Sequence, residues 1–249
     1  MNNLVEIKNL TKKFNTINGE IEAINNIDLE IKQGEIIAIV GSSGCGKSTL
    51  LSILSGLDKQ TSGDFKFNGD VKIGYMLQQD ALLPWLSIYD NVLIGLKINK
   101  QVTKENLEYI DYLLKVYDLY EFKDKKPASI SGGMKQRVAL IRTLALKPDV
   151  LLLDEPFSAL DYQTRLIISD DVYKIAKKEN ITIIMVTHDL AEAISMADRI
   201  VVLSKRPCKV KNIVPIILNE KSNPINNRKD SNFSMYYDMI WRDLDVFIS

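Results

Sequence analysis

The sequence has few of the residues from which disulfide scaffolds and metal centres are built. Its 249 residues include two cysteines, Cys45 and Cys208, and one histidine, His188. Two cysteines so far apart give neither a disulfide framework nor the paired spacing of a zinc site. We therefore expect free thiols, a reducing compartment and a fold that depends on its apolar core.

Long apolar segments are also missing. A helix that spans a bilayer needs about 20 consecutive apolar residues, and the best runs, at 36–40 and 181–186, are far shorter. The first residues contain no charged head followed by a long apolar run, so no secretory signal is expected. These runs are instead typical of buried strands, and we expect a chain that does not itself cross a membrane.

The sequence has no excess of charge of either sign. Its 32 Lys and Arg residues balance 32 Asp and Glu residues. Proteins that hold nucleic-acid backbones usually show a basic excess, so we expect no nucleic-acid partner. The apolar share of 46% and the charged share of 26% are ordinary for a globular protein. At roughly 150 residues per domain, the length corresponds to about 1.7 domains.

The first third of the chain predicts antiparallel strands followed by an α/β unit. Val5 and Ile7 alternate with charged residues, as do the apolar residues of 27–31, which indicates half-buried strands. The continuous apolar run at 35–40 predicts a strand covered on both faces. A glycine-rich turn and a helix over 48–55 follow it.

The middle of the chain, about 84–147, predicts helices, with Thr103 and Ser131 as N-caps. Beyond it we predict strands at 150–153, 181–186 and 200–203 and helices over 163–178 and from Leu190. An α/β domain over 1–220 is thus interrupted by a helical subdomain at about 84–147, and 221–249 forms a short C-terminal loop and helix. On that last helix the predicted apolar face consists of Phe233, Tyr237, Ile240, Trp241 and Leu244.

The segment GSSGCGKST at 41–49 fits the pattern G-x-x-x-x-G-K-[ST]. Glycines allow successive backbone N–H groups to surround phosphate oxygens at the positive end of the following helix. Lys47 would reach the outer phosphates, and the Ser48 hydroxyl would bind Mg²⁺. Because a buried strand precedes the segment and a helix follows, we favour a phosphate loop over a plain connecting turn. The predicted nucleotide-binding residues here are Gly41, Ser42, Ser43, Gly44, Cys45, Gly46, Lys47, Ser48 and Thr49; for the Cys45 side chain we favour a space-filling role.

Acidic residues follow the apolar strand at 150–153. Asp154 is a candidate Mg²⁺ ligand and Glu155 a candidate general base for an attacking water. His188 ends another predicted strand at the same sheet edge, where it could bind a γ-phosphate or orient water. A structural role for this histidine is an equally good interpretation of the sequence alone.

The motif ISGGMKQR at 130–137, with the phosphate loop and VLLLDE at 150–155, resembles the ATP-binding cassette (ABC) ATPases. The resemblance implies a P-loop NTPase core with an antiparallel β-subdomain and an inserted α-helical subdomain, and ATP and Mg²⁺ as cofactors. Ile130 and Met134 depart from the usual LSGGQ signature without touching phosphate, metal or base positions. The roles implied are Phe14 for adenine stacking, Gln78 for Mg²⁺ and water, Asp161 in the D-loop, His188 as the switch histidine, and Ser131, Gly132 and Gly133 for the γ-phosphate held by a second copy of the chain.

Three further segments are similar to the nitrate, sulfonate and taurine branch of bacterial importers: ALLPW at 81–85, KRPCKV at 205–210 and IWRDL at 240–244. This resemblance implies a permease that docks near Gln78–Val92, with Trp85, Leu86 and Ile88 as apolar contacts, and an extracytoplasmic solute-binding protein. The ATPase would then lie at the cytoplasmic face of the membrane. Two alternatives are an export ATPase and an ABC ATPase that acts on DNA or ribosomes. The importer-like segment at 81–85 argues against an exporter. ABC ATPases that act on DNA or ribosomes usually carry a coiled coil, zinc modules or two cassettes. The cargo, including a vitamin precursor, stays open.

Overall fold

Two β-sheets organise the residues that the computed structural model describes, which are 3–17 and 19–244. The smaller sheet is antiparallel, in the order β2-β1-β4, and the larger has the order β5-β6-β7-β3-β8-β9, with β9 antiparallel to its neighbour. The strands are β1 (Asn3–Thr16), β2 (Gly19–Lys32), β3 (Ile36–Val40), β4 (Ser62–Phe67), β5 (Ile73–Met76), β6 (Val150–Asp154), β7 (Thr182–Val186), β8 (Arg199–Leu203) and β9 (Val210–Pro215).

Helices follow the predicted order along the chain. They are α1 (Lys47–Leu54), α2 (Ile88–Ile98), α3 (Lys104–Val116), α4 (Gly132–Leu144), α5 (Tyr162–Glu179), α6 (Leu190–Met196), α7 (Pro224–Asn227) and α8 (Phe233–Asp243). The caps at Thr103 and Ser131 are confirmed, since each side chain accepts a hydrogen bond from the third residue after it. None of the described helices is both long and apolar enough to span a bilayer.

The larger sheet separates two apolar cores, and β3 contributes to both. Ile36, Ala38 and Val40 pack with the helices on one face, whereas Ile37 and Ile39 pack with α1 and the smaller sheet on the other. Because both faces are covered, every residue of β3 is buried. This explains the continuous apolar run in the sequence and confirms the two-sided burial predicted from it.

β4, β5, β9 and α7 have no counterpart among the elements predicted from the sequence. β4 is largely exposed and β5 has only four residues, so neither carries a strong periodic signal. The first part of the C-terminal segment, predicted to be a loop, contains α7, which Asn223 caps. Asn227 at its end is fully buried and donates a hydrogen bond to the Ser195 carbonyl oxygen at 2.7 Å.

The predicted apolar face of α8 is wrong at Tyr237 and Trp241. These rings are 37% and 38% exposed and stack on each other at 6.1 Å. Tyr236 is buried instead, because its hydroxyl bonds both the N–H and the carbonyl oxygen of Ile217. The face that packs on the core consists of Phe233, Tyr236, Ile240 and Leu244, and 245–249 lie outside the described residues.

Candidate functional site

The carboxyl ends of three neighbouring strands form one edge of the larger sheet. β3 lies between β7 and β8, and β6 pairs with β7 in the register Asp154 to Val186. The loop after β3, the acidic residues that end β6 and the histidine after β7 therefore meet at this edge. Crevices at such edges are the usual ligand sites of open α/β sheets.

The loop between β3 and α1 needs glycine at two positions. Gly44 and Gly46 have φ angles of 70° and 129°, a region that other residues rarely adopt. A Cβ atom at Gly46 would also lie 3.0 Å from the Ala23 carbonyl oxygen. The loop therefore needs glycine at these two positions to adopt its conformation and to lie this close to β2.

Lys47, the first residue of α1, is 7% exposed. Its ammonium folds over the loop and donates hydrogen bonds to the carbonyl oxygens of Gly41 at 2.8 Å and Ser42 at 3.0 Å. A buried positive charge beside a helix N-terminus attracts anions, and phosphate is the anion that this loop pattern accommodates.

An open cleft of about 390 Å³ lies above this loop. Phe14, 39% exposed on β1, forms one side. Gly41, Ser42 and Cys45 have no part in the lining: the first two accept hydrogen bonds from Lys47, and the Cys45 side chain is buried below the loop. The cleft is lined by Phe14, Ile21, Ala23, Ser43, Gly44, Gly46, Lys47, Ser48, Thr49, Gln78, Glu155 and Arg206.

Asp154 ends β6 beneath the cleft and is 3% exposed. Burial raises the pKa of its carboxyl, and a hydrogen bond with the Ser48 side chain opposes that rise. Its Oδ1 atom is buried without a hydrogen-bond partner, which is costly unless a cation or donor binds there. A carboxylate beside a hydroxyl suits Mg²⁺, a cation that takes one or two carboxylates and completes its shell with water and substrate phosphates. Accordingly, the described residues contain no group of three or more His, Cys, Asp or Glu side chains that could hold a metal by themselves.

Glu155 is the meeting point of the predicted reactive side chains. Its Oε2 accepts a hydrogen bond from Gln78 Nε2 at 3.2 Å, and its Oε1 lies 3.2 Å from His188 Nδ1. Its backbone has a φ of 49°, and its N–H donates to the Val186 carbonyl oxygen at 2.9 Å. A strained non-glycine residue that is fixed by a neighbouring strand is common where a side chain must point into a site.

The predicted signature residues do not reach this cleft. Ser131 caps α4 by accepting a hydrogen bond from the Met134 N–H at 3.3 Å, and Gly132 lines a separate depression beside Gln78. Gly133 packs near the Ala159 carbonyl oxygen. Asp161 caps α5 through the Thr164 N–H. These residues lie apart from the phosphate loop of their own chain.

Arg206 and Gln136 lie in or beside the site and were not predicted. Arg206 lines the cleft and donates from Nη2 to the Gly44 carbonyl oxygen at 2.6 Å. Gln136, on α4, donates to the Glu155 carbonyl oxygen at 3.0 Å and accepts from the Ala159 N–H at 2.9 Å. Arg206 belongs to the segment at 205–210 and Gln136 to the motif at 130–137, but their local spacing gives no sign of these distant partners.

Comparison with known proteins agrees with this geometry. Residues 24–158 match the family model described as ABC transporter. The chain is 40% identical to an uncharacterized ABC transporter ATP-binding protein, YtlC of Bacillus subtilis (97% of this chain, 95% of that protein), and 38% identical to the nitrate import ATP-binding protein NrtD of Synechocystis sp. (95% and 93%). It is 39% identical to the taurine import ATP-binding protein TauB of Ruegeria pomeroyi (83% and 80%).

Among solved structures, a dimeric post-hydrolysis state of the ATP-binding cassette MJ0796 bound to ADP and Pi superposes with a TM-score of 0.78 at 33% identity. It covers 86% of this chain, and the match spans 99% of the MJ0796 chain. The predicted fold class is thereby confirmed.

Proposed function

The chain belongs to the ABC transporter family of ATP-binding proteins, and from this premise we propose that it is the ATP-hydrolysing subunit of an importer for a small solute. The observation that carries the proposal is the convergence of Lys47, Asp154 and Glu155 at one sheet edge, below a cleft with an aromatic wall. The nitrate and taurine import relatives favour import over export, and a small solute that carries an oxyanion group as the cargo. The proposed division is an ATPase domain over 1–220, with a helical subdomain at about 84–147, and a C-terminal segment over 221–249.

In the proposed site, the phosphate loop binds the nucleotide. The N–H groups of Gly44 to Thr49 surround the phosphates, the Lys47 ammonium leaves its carbonyl partners to bind the outer phosphates, and Phe14 stacks on the adenine. Phosphoryl transfer depends mainly on positioning and charge stabilisation, so these groups supply most of the rate enhancement. Arg206, which already bonds the loop at Gly44, adds a second cation to the cleft.

Glu155 holds and polarises the attacking water. Gln78 and His188 each contact one of its carboxylate oxygens at 3.2 Å, so they fix its orientation from two sides. His188 also supplies a hydrogen bond to the γ-phosphate. Ser48 and Asp154, with Gln78, are the proposed Mg²⁺ ligands, and the cation would neutralise charge on the phosphates when bound.

A second copy of the chain completes the site. Ser131, Gly132 and Gly133 lie at the exposed start of α4, away from their own phosphate loop, where they offer a hydroxyl and free N–H groups. We assign them to the nucleotide held by the partner subunit, with Asp161 near the same interface. The dimeric ADP-bound state of MJ0796 supports this arrangement.

The permease contact is assigned to the turn before α2. Trp85 is 66% exposed there, an unusual position for a large ring. The half-buried Leu86 lies next to it, whereas the predicted contact at Ile88 is wrong, because that side chain is fully buried in the core. The same segment, Gln78–Val92, includes the contact of Gln78 with Glu155, so it can transmit nucleotide state to a membrane partner. The chain would then lie at the cytoplasmic face of the membrane, and an extracytoplasmic solute-binding protein would select the cargo.

Removal of the Lys47 ammonium tests the nucleotide assignment. In Lys47→Ala we expect ATP affinity to fall by a factor of about ten or more, because a buried charge-assisted contact to phosphate is lost. Titration with a fluorescent ATP analogue and measurement of phosphate release check this. The control is Lys104→Ala, whose side chain is 91% exposed on α3 and should bind and hydrolyse ATP normally. Unchanged affinity in Lys47→Ala would contradict the proposed function.

A further inference from the structure

The two cysteines of the chain meet beneath the phosphate loop, although they are far apart in sequence. Cys45 belongs to the loop, and Cys208 lies between β8 and β9. The side chains are 1% and 0% exposed, and each thiol shifts the pKa of the other through a side-chain hydrogen-bond interaction. Cys45 precedes Gly46, and a Cβ atom placed at Gly46 would lie 3.3 Å from the Cys208 Cβ, so a local displacement of the loop can bring the sulfurs to the roughly 2.05 Å of a disulfide bond.

Cys208 is the fixed member of the pair. Its N–H donates to the Ala23 carbonyl oxygen at 3.0 Å, and its own carbonyl oxygen accepts from the Asn25 N–H at 2.9 Å. The backbone N–H and the backbone carbonyl oxygen of Cys208 are thus both hydrogen-bonded to β2. Cys45 has only a long turn bond from its N–H to the Ser42 carbonyl oxygen, at 3.3 Å. A bond between the sulfurs would therefore move the phosphate loop and leave Cys208 in place.

No gap separates the loop backbone from the cysteine side chains, so the backbone must follow when Cys45 moves. A Cβ atom at Gly41 would lie 2.9 Å from Cys45 Sγ, and one at Gly46 would lie 3.3 Å from the Cys208 Cβ. The two side chains are therefore packed directly against the loop backbone. Because the N–H groups of that backbone form the phosphate cradle, a displacement of Cys45 changes their direction.

The two thiols differ in reactivity. The hydrogen bond from Cys208 and the nearby Lys47 ammonium lower the pKa of the Cys45 thiol, although burial opposes this. The same hydrogen bond and burial raise the pKa of the Cys208 thiol. In such a pair, the thiolate reacts with an oxidant to give a sulfenic acid, and the neighbouring thiol then attacks the oxidised sulfur to form a disulfide.

We propose that Cys45 and Cys208 form a reversible intramolecular disulfide that disables the phosphate loop when a peroxide is present. The Cys45 sulfur attacks one peroxide oxygen, the O–O bond breaks, and a sulfenic acid and one water form. The Cys208 sulfur then displaces the sulfenic oxygen as a second water. Two thiols and one hydrogen peroxide thus give one disulfide and two waters, and two electrons pass from sulfur to oxygen. The oxidant has a short route, because Gly44 and Gly46, the neighbours of Cys45, line the open cleft.

Peroxide treatment of the full-length reduced protein tests this proposal. The expected loss of nucleotide binding rests on the proposed function of the phosphate loop. Non-reducing digestion and mass spectrometry should find a Cys45 peptide joined to a Cys208 peptide, and thiol titration of the denatured chain should fall from two groups to none. Affinity for mant-ATP, a fluorescent ATP analogue, should fall by about tenfold or more and return with dithiothreitol. The matched variant Cys208→Ser should bind mant-ATP as the wild type does when reduced, form no bridge and keep its affinity after peroxide.

Three results would overturn the proposal: two thiols that stay free in the treated wild type, a bridge between two chains, or an internally bridged protein that binds mant-ATP as tightly as the reduced one. Reduced wild type that fails to bind mant-ATP would instead contradict the proposed function. The mass measurement would still decide whether the bridge forms, so the two failures are distinguishable.

Discussion

At the scale of single residues, short-range patterns predict one part of the site and long-range contacts supply the other. Gly44, Gly46 and Lys47 belong to a continuous segment whose spacing determines its own conformation, so the phosphate loop could be predicted from the sequence. Arg206 bonds Gly44 across 162 positions of the chain. No periodicity or motif encodes such a pair, because the two residues meet only after β3 and β8 have paired.

Glu192 is a buried carboxyl next to the proposed switch histidine. It is 3% exposed, and its Oε2 accepts a hydrogen bond from the Thr187 hydroxyl at 2.7 Å. Burial raises its pKa from an ordinary value of 4.5 to about 7. Below pH 4.5 the carboxyl is protonated in both folded and unfolded chains. As pH rises from 4.5 through 7, the unfolded state releases the proton first, so the chain loses stability, by about 3 kcal/mol in all.

Glu192→Gln should therefore be more stable than the wild type at pH 8, by about 1–3 kcal/mol, and nearly equal to it at pH 5. Urea unfolding at the two pH values measures this difference. Glu108→Gln, an exposed change on α3, should leave the pH dependence of stability as it is. A Glu192→Gln variant that is destabilised at pH 8 would show that the ionised carboxylate is needed there.

At the scale of elements, α4 is tied to the site by one side chain. The Gln136 amide is 5% exposed and bonds the Glu155 carbonyl oxygen, the Ala159 N–H and the Ser158 hydroxyl. It thus joins the helix that begins with Ser131 to the backbone of the proposed general base. The sequence predicted α4 and its cap correctly from apolar spacing, but a buried polar bridge of this kind has no periodic signal.

Gln136→Ala should lower kcat for ATP by about tenfold and leave KM nearly unchanged, because Gln136 positions Glu155 without lining the cleft. We also expect a loss of about 1–3 kcal/mol in stability, since two buried backbone groups lose their partners. Steady-state phosphate release and urea unfolding measure the two effects. Gln163→Ala, at an exposed position near the start of α5, is the control. A rise in KM with an unchanged kcat would place Gln136 in nucleotide binding instead.

The α8 helix illustrates the limit of periodicity at this scale. Tyr236 and Tyr237 both fall within an apolar stripe that begins at Phe233 and continues to Ile240. Tertiary hydrogen bonds decide between them, because the Tyr236 hydroxyl accepts from the Ile217 N–H and donates to the Ile217 carbonyl oxygen. Periodicity does not predict the order of the strands either. β5 pairs with β6 although the whole helical segment separates the two strands in the sequence.

At the scale of the whole molecule, one segment joins the proposed permease contact at Trp85 to the proposed nucleotide site, because Gln78 at its start contacts Glu155. Trp85→Ala should reduce ATP-driven uptake in vesicles that hold the complete transporter by about tenfold or more, as expected for a large ring at an interface centre. Hydrolysis by the isolated subunit should stay unchanged. Leu57→Ala, which removes an apolar side chain that is 70% exposed elsewhere, is the control. Normal uptake in Trp85→Ala would exclude the docking assignment.

In the proposed mechanism, Glu155 drives hydrolysis in a dimer that closes on ATP. Glu155→Gln keeps the contact with Gln78 but removes the charge that polarises water. We expect it to bind MgATP, to lose at least about 100-fold in turnover, and to remain a dimer while ATP is present. Light scattering of the Glu155→Gln protein with MgATP, set beside its rate of phosphate release, measures both properties together. A stable ATP-dependent dimer with almost no turnover is the predicted result, and a monomer that hydrolyses ATP at the wild-type rate would contradict the account.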